Sequence, residues 1–186
     1  MVPVLSLLVP ILVSAIFVFV ASSIIHMFTP FHKGDVKRVP NEDGVMGALR
    51  PFNLAPGDYA MPLASSMAAM GSPEFQDKMK AGPVVMMTVR PSGKFSMTGN
   101  LVQWFIYSIV VSLFAGYIAG VALAPGTDYL KVFQIAGCVA FTGYAMGLPQ
   151  ASIWGGKNWG TTLRGMADGL LYGLLTGGTF GWLWPK

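Results

Sequence analysis

The chain has 186 residues, 53% of them hydrophobic and 11% charged, with a net charge of +4 and a mean hydropathy of +0.57. Globular domains carry about 25% charged residues, so this chain cannot cover itself with polar surface, and its solvent is largely lipid. Its lone cysteine, Cys138, excludes an internal disulfide framework and any Cys-based zinc or iron–sulfur site within the chain.

No charged residue falls between Val2 and Phe28. At about 1.5 Å per residue this run outreaches a hydrocarbon core roughly 30 Å thick. Residues 1–29 therefore read as a transmembrane helix that tilts, bends near Pro10 or protrudes. No Lys or Arg precedes the run and it is too long for a signal-peptide core, so it reads as a retained helix.

Residues 30–100 form a long extramembrane segment with eight prolines and eight methionines. Asn41-Glu42-Asp43 caps a short helix reaching Arg50. Ser72-Pro73-Glu74 supplies an N-cap, a first-turn proline and an early acid for a second helix, Pro73 to about Lys80. Val84 to Arg90 is β-branched and apolar. The turn Pro91-Ser92-Gly93-Lys94 then predicts a β-hairpin with Phe95 to Thr98 as partner strand. Pro51 to Pro62 reads as irregular. Two short helices and a hairpin make a poor independent core, so the segment calls for a partner surface.

Three further apolar runs occupy residues 101–186: Leu101–Ala124, Leu130–Ile153 with Pro149 near its end, and Gly165–Trp184. Trp104, Tyr107, Tyr129, Trp154, Trp159, Trp182 and Trp184 stand near their ends, where the headgroup zone favours amphipathic rings. The expected fold class is an all-α membrane protein with four transmembrane helices and a long cytoplasmic segment. Lys33, Lys37, Arg38, Arg50, Lys78, Lys80, Arg90 and Lys94, with Lys157 and Arg164, lie on one side, against Lys131 and Lys186 on the other. That asymmetry places the long segment in the cytoplasm and both termini in the periplasm of a bacterial inner membrane.

The most specific pattern is a ladder of glycines at every fourth residue: Gly165, Gly169, Gly173, Gly177 and Gly181. Ser108, Ser112, Gly116, Gly120 and Ala124 repeat it in the second apolar run, and Gly143, Gly147 and Ala151 in the third. Residues four apart share a helix face, so each ladder is a groove that another backbone can approach closely. It packs either within one bundle or against a neighbouring subunit, a lipid, or a flat pigment such as bacteriochlorophyll or carotenoid.

Asp168 is the only acid within a predicted span. Arg164, one helical turn earlier, suggests an intramembrane ion pair at the start of the helix, with a proton relay as the sharper reading. His26 closes the first helix, where it serves either as a hydrogen-bonding group or as a ligand to haem iron or chlorophyll magnesium. His32 follows beyond Pro30 and does not share its helix face well. Met67, Met70, Met79, Met86 and Met87 raise copper(I) binding, although methionine also fills adaptable interfaces. There is no G-x-S-x-G, P-loop or H-E-x-x-H motif, so the chain reads as non-enzymatic, with no catalytic residues.

The strings Pro40-Asn41-Glu42-Asp43, Leu49-Arg50-Pro51, Pro56-Gly57-Asp58-Tyr59, Met70-Gly71-Ser72-Pro73-Glu74, Gly82-Pro83-Val84 and Gly181-Trp182-Leu183-Trp184 resemble a family of small bacterial inner-membrane proteins without assigned activity. Such a member looks like an accessory subunit of a photosynthetic reaction-centre–light-harvesting complex. The resemblance implies a structural role in a larger energy-transducing membrane complex. Its partners would be lipid and other membrane subunits, with no nucleic acid and no resident metal. The alternatives from the residues are a copper-handling membrane protein or a small transporter subunit using Asp168.

Overall fold

The computed structural model describes residues 1–186. In chain order, a short 3-10 turn, Val4–Leu7, leads into helix α1, Leu8–Phe28. Helix α2 spans Glu42–Leu49, strand β1 Gly57–Met61, helix α3 Met67–Met70, helix α4 Pro73–Ala81 and strand β2 Val85–Val89. Helix α5 runs Thr98–Ala122 and α6 Tyr129–Phe141. A π-helical turn at Thr142–Met146 follows, then α7, Pro149–Gly155, and α8, Trp159–Trp182. The chain divides into two compact units: residues 1–36 with 96–186, and residues 37–95.

Three helical stretches are long and apolar enough to cross a membrane: Val4–Phe28, Thr98–Ala122 and Tyr129–Gly155. The third is not one straight helix, as the run from Leu130 to Ile153 suggested. Pro149 has no N–H to give to the helical ladder, and the π turn before it absorbs the break. Helix α8 has the length of a span, but Arg164, Asp168 and its glycines dilute its apolar character.

In the first unit α1, α5, α6 and α8 form a closed ring of neighbours, each packed on the next. One core cluster joins Val2, Leu7, Ile11, Ala115, Ala119, Val132, Ala136, Phe180 and Trp184. A second joins Val18, Val111, Ala140, Tyr144 and Tyr172. The outward residues are also apolar: Val9, Leu12, Ile16 and Val20 on α1, and Val102, Ile106, Phe114 and Val121 on α5, are exposed. A helix apolar on every side is what a lipid solvent selects. Several polar groups inside are matched to one another. Ser14 donates to Ser112 (3.0 Å), and the backbone N–H of Val2 donates to the Gly120 carbonyl (2.7 Å).

The α8 glycine ladder packs within the chain, on α6. A Cβ on Gly169 would meet Ala145 Cβ at 2.7 Å, and one on Gly173 would meet the Gly137 carbonyl oxygen at 3.0 Å. At Gly177 it would meet the Phe133 carbonyl oxygen at 2.6 Å, and at Gly181 the Tyr129 ring at 2.6 Å. Gly165 faces Leu148 more loosely, at 3.2 Å. The facing glycine on α6, Gly137, was outside every ladder read from the sequence. On α5, Gly116 receives the Phe180 ring and Gly120 the Val2 backbone. Gly143 sits on Val111, whereas Gly147 has nothing within 4 Å. Gly169, Gly173, Gly177 and Gly181 therefore bring α8 against α6 and the π turn that follows it, and this face packs inside the chain.

The second unit holds the expected short helices. Ser72 Oγ accepts from the Phe75 N–H (3.3 Å), Pro73 opens α4, and Lys78 pairs with Glu74 (2.7 Å). The hydrogen bond and charge of Lys78 hold Glu74 below the usual carboxylate range. The expected hairpin is corrected. β2 pairs antiparallel with β1, in the register Gly57↔Val89 to Met61↔Val85, so part of the segment read as irregular is a strand. Thr88 Oγ1 donates to Asp58 Oδ1 across the pair (2.6 Å). Residues 95–98 instead lead into α5, because the apolar helix claims the chain from Thr98 onward. No residue of 37–95 is buried.

Candidate functional site

Four ionisable side chains and one exposed histidine meet at one end of the helical unit. The chain leaves α1 at Thr29-Pro30 and turns back twice, with Lys33 N–H bonded to the Pro30 carbonyl and Asp35 N–H to the His32 carbonyl. Gly34 adopts a φ of +103°, a conformation that glycine enters without steric cost. This strap folds His32 back over the end of α1, so that its ring stacks on His26 with centroids 4.3 Å apart and planes 10° apart. Spacing along the sequence argued against the two histidines meeting. They meet because only His26 is helical and His32 returns on the strap.

Asp168 lies on α8 with its side chain 8% exposed. Its Oδ2 is 2.8 Å from His32 Nε2 and 3.9 Å from His26 Nε2. On the far side of His32, Nδ1 is 2.7 Å from Asp35 Oδ2. Arg164 closes the chain of contacts, donating through Nε (2.7 Å) and Nη2 to Asp35 Oδ1. The hydrogen bond from His32, opposed by partial burial and reinforced by Arg164, holds the Asp35 carboxyl below its usual range.

The expected pair of Arg164 with Asp168 does not form. An acid placed N-terminal to its base makes the better i, i+4 pair, because helical side chains lean toward the N-terminus. Here the base comes first, and Arg164 leans away from Asp168 toward the strap. The acid it meets, Asp35, is 129 positions distant in sequence. The only sequence signal for this was a turn-forming Lys33-Gly34 between a histidine and an acid.

Beside the cluster, inside the helices, is a cavity of about 380 Å³ lined by His26, Trp104, Tyr144, Leu148, Asp168 and Tyr172, among others. Tyr144 reaches it from the π turn, and its ring packs edge-on against Tyr172 at 5.4 Å. Trp104 has a partner inside the bundle. It packs within this aromatic group and its indole N–H donates to Ser22 Oγ (2.8 Å). Tyr107 donates to the Gly143 carbonyl (2.7 Å), a backbone group beside the irregular turn. No protein-family model matches the chain, and no curated protein or solved structure is significantly similar to it.

His26, His32 and Asp168 each offer one ligand atom, and these atoms all lie within 4.8 Å of one another. Chemically the arrangement is a cation site or a chain of polar contacts running from Arg164 through Asp35 and His32 to Asp168, with His26 exposed beside it. The methionines read as copper ligands belong to residues 37–95. There Met86 is exposed and Met87 half-buried on successive positions of β2, and Met67 and Met70 are the first and last residues of α3.

Proposed function

We propose that this chain is a non-catalytic, multi-pass accessory subunit of a larger membrane assembly, and that residues 37–95 are its docking piece. The observation that supports this reading is that the unit of residues 37–95 has no buried residue, while Phe52, Leu63, Met67 and Phe95 are exposed. Ordering a backbone residue costs about 1–2 kcal/mol, and a unit without a core has little burial to offset it. A partner surface supplies that burial, and methionine-rich, uneven apolar surface suits an adaptable contact. In this reading α8 is a fourth span, residues 37–95 are cytoplasmic, and both termini are periplasmic, in line with the distribution of Lys and Arg.

The resemblance read from the sequence makes a photosynthetic reaction-centre–light-harvesting complex the first assembly to search. Gentle solubilisation of native membranes, affinity capture of the tagged chain and mass spectrometry test the proposal. Stoichiometric recovery of a larger membrane complex is expected. Recovery should disappear when residues 37–95 are replaced by a short flexible linker while the remaining helices still insert. A chain recovered alone under the mildest conditions overturns the reading.

A further inference from the structure

We infer that His26, His32 and Asp168 form a binding site for a divalent first-row transition ion, zinc in the first instance. The argument starts from the protons on the two imidazoles. His26 Nδ1 lies 3.0 Å from the Ser22 carbonyl oxygen. A carbonyl only accepts, so Nδ1 carries the proton, and in the neutral ring Nε2 is a bare lone pair. His32 Nδ1 faces the Asp35 carboxylate at 2.7 Å, which likewise only accepts when ionised, and its Nε2 is a second lone pair. Both free nitrogens lie near the same oxygen, Asp168 Oδ2.

Two lone pairs and a carboxylate do not converge at low cost unless a cation stands among them. His32 Nε2 is buried without a hydrogen-bond partner. Its 2.8 Å approach to Asp168 is close but is not aligned as an N–H···O bond. Two carboxylates, Asp35 and Asp168, face one guanidinium, Arg164, around the two rings.

The surroundings of the cluster are those of a metal site. A metal-bound histidine ordinarily donates its other ring N–H to a carboxylate or a backbone carbonyl, which fixes the tautomer and raises ligand basicity. His32 has the carboxylate and His26 has the carbonyl. Arg164 in turn fixes Asp35. Ligand atoms about 2.0–2.2 Å from zinc in tetrahedral geometry stand roughly 3.3–3.6 Å apart; His32 Nε2 and Asp168 Oδ2, now 2.8 Å apart, would open and His26 Nε2, now 3.9 Å from that oxygen, would close by a few tenths of an ångström to reach it. The histidine rings are stacked, so one must turn to aim its lone pair at a shared ion. His26, with its side chain 51% exposed, has the room to do so at the cost of lengthening its bond to the Ser22 carbonyl, whereas His32 is 16% exposed and held by Asp35. Three protein ligands leave a fourth position, and the cavity that His26 and Asp168 line gives water or a small ligand room to fill it.

The test uses the full chain purified in detergent and stripped with a chelator. Zinc is then titrated by equilibrium dialysis with elemental analysis, and cobalt(II) by visible absorption. Saturable binding of one ion per chain is expected, with the intensified cobalt bands of a four-coordinate nitrogen–oxygen site and an upward shift of the thermal midpoint. His26→Asn removes a half-exposed ring without opening the core and should abolish stoichiometric binding. Asp35→Asn removes only the group that orients His32 and should weaken binding roughly 10–100-fold. The double variant Met67→Leu, Met86→Leu should bind as the original chain does. The inference is overturned if the stripped chain takes up neither ion, which would leave a proton as the bridge between His32 and Asp168. It is equally overturned if uptake is unaffected by both His26→Asn and Asp35→Asn.

Discussion

The tightest contact in the α6–α8 pair gives the sharpest test of how the bundle is held. A Cβ at Gly177 would lie 2.6 Å from the Phe133 carbonyl oxygen, 3.0 Å from Gly137 Cα and 3.1 Å from Gly137 N, all well inside the roughly 3.5 Å of ordinary contact. Every atom met is backbone, so no rotamer change relieves the clash and α6 itself must move. Overpacking of this kind costs about 1–3 kcal/mol, and alanine recovers up to about 1 kcal/mol of helix propensity. Gly177→Ala should therefore lose about 1–2 kcal/mol net. Gly178, its neighbour on α8, is the internal control. A Cβ there meets only the Tyr129 hydroxyl at 3.5 Å, so Gly178→Ala should be neutral or stabilised by up to about 1 kcal/mol. Reversible unfolding in bicelles, followed by tryptophan fluorescence or steric trapping, measures both. Equal stability of the two variants would refute the close-approach account of the ladder.

Gly173→Leu places a large side chain against the Gly137 carbonyl and Phe141, and the protein should fail to accumulate in membranes, as immunoblotting will show. An inserted and stable variant would argue against that packing. A cysteine at Lys78, in a Cys138→Ser background, should resist an impermeant thiol reagent in intact cells and react after permeabilisation; labelling of intact cells reverses the proposed orientation. Double-mutant cycles should give a larger coupling for Arg164→Gln with Asp35→Asn than for Arg164→Gln with Asp168→Asn, read as thermal midpoints in detergent. Ala60→Cys with Met86→Cys, directly opposite across the strand pair, should oxidise to an intramolecular cross-link. Failure to do so, with ready cross-linking of cysteines placed at residues 89 and 96, restores the hairpin read from the sequence.

Local signals were legible where a single physical demand dominates the sequence. Lipid demands uninterrupted apolar residues, and α1 and α5 fall within a few positions of the runs that announce them. Ser72-Pro73-Glu74 marks α4 because capping is a matter of adjacent residues. The glycine repeat marks a close contact, but periodicity along one helix does not say which helix comes near. The partner glycine, Gly137, lies on a helix whose own repeat begins elsewhere. Strand pairing failed for a related reason. Val85–Val89 was recognisable as a strand, but its mate lies across α3 and α4, and short-range turn chemistry pointed to the wrong neighbour. In the site, His26 and Asp168 stood out through their depth in apolar runs. His32, Asp35 and the turn of Arg164 toward the strap depend on a fold-back that no spacing rule encodes.

The closed ring of helices has a consequence for how the protein is made. Helix α1 is made before the helices it packs on, α5 and α8, and the strap that follows it is fastened by Arg164 and Asp168. During synthesis His32 and Asp35 have only each other until α8 emerges, because Asp168 and Arg164, which complete their contacts, come much later in the chain. Chains stopped short of Arg164 thus lack both groups that fasten the strap over the end of α1.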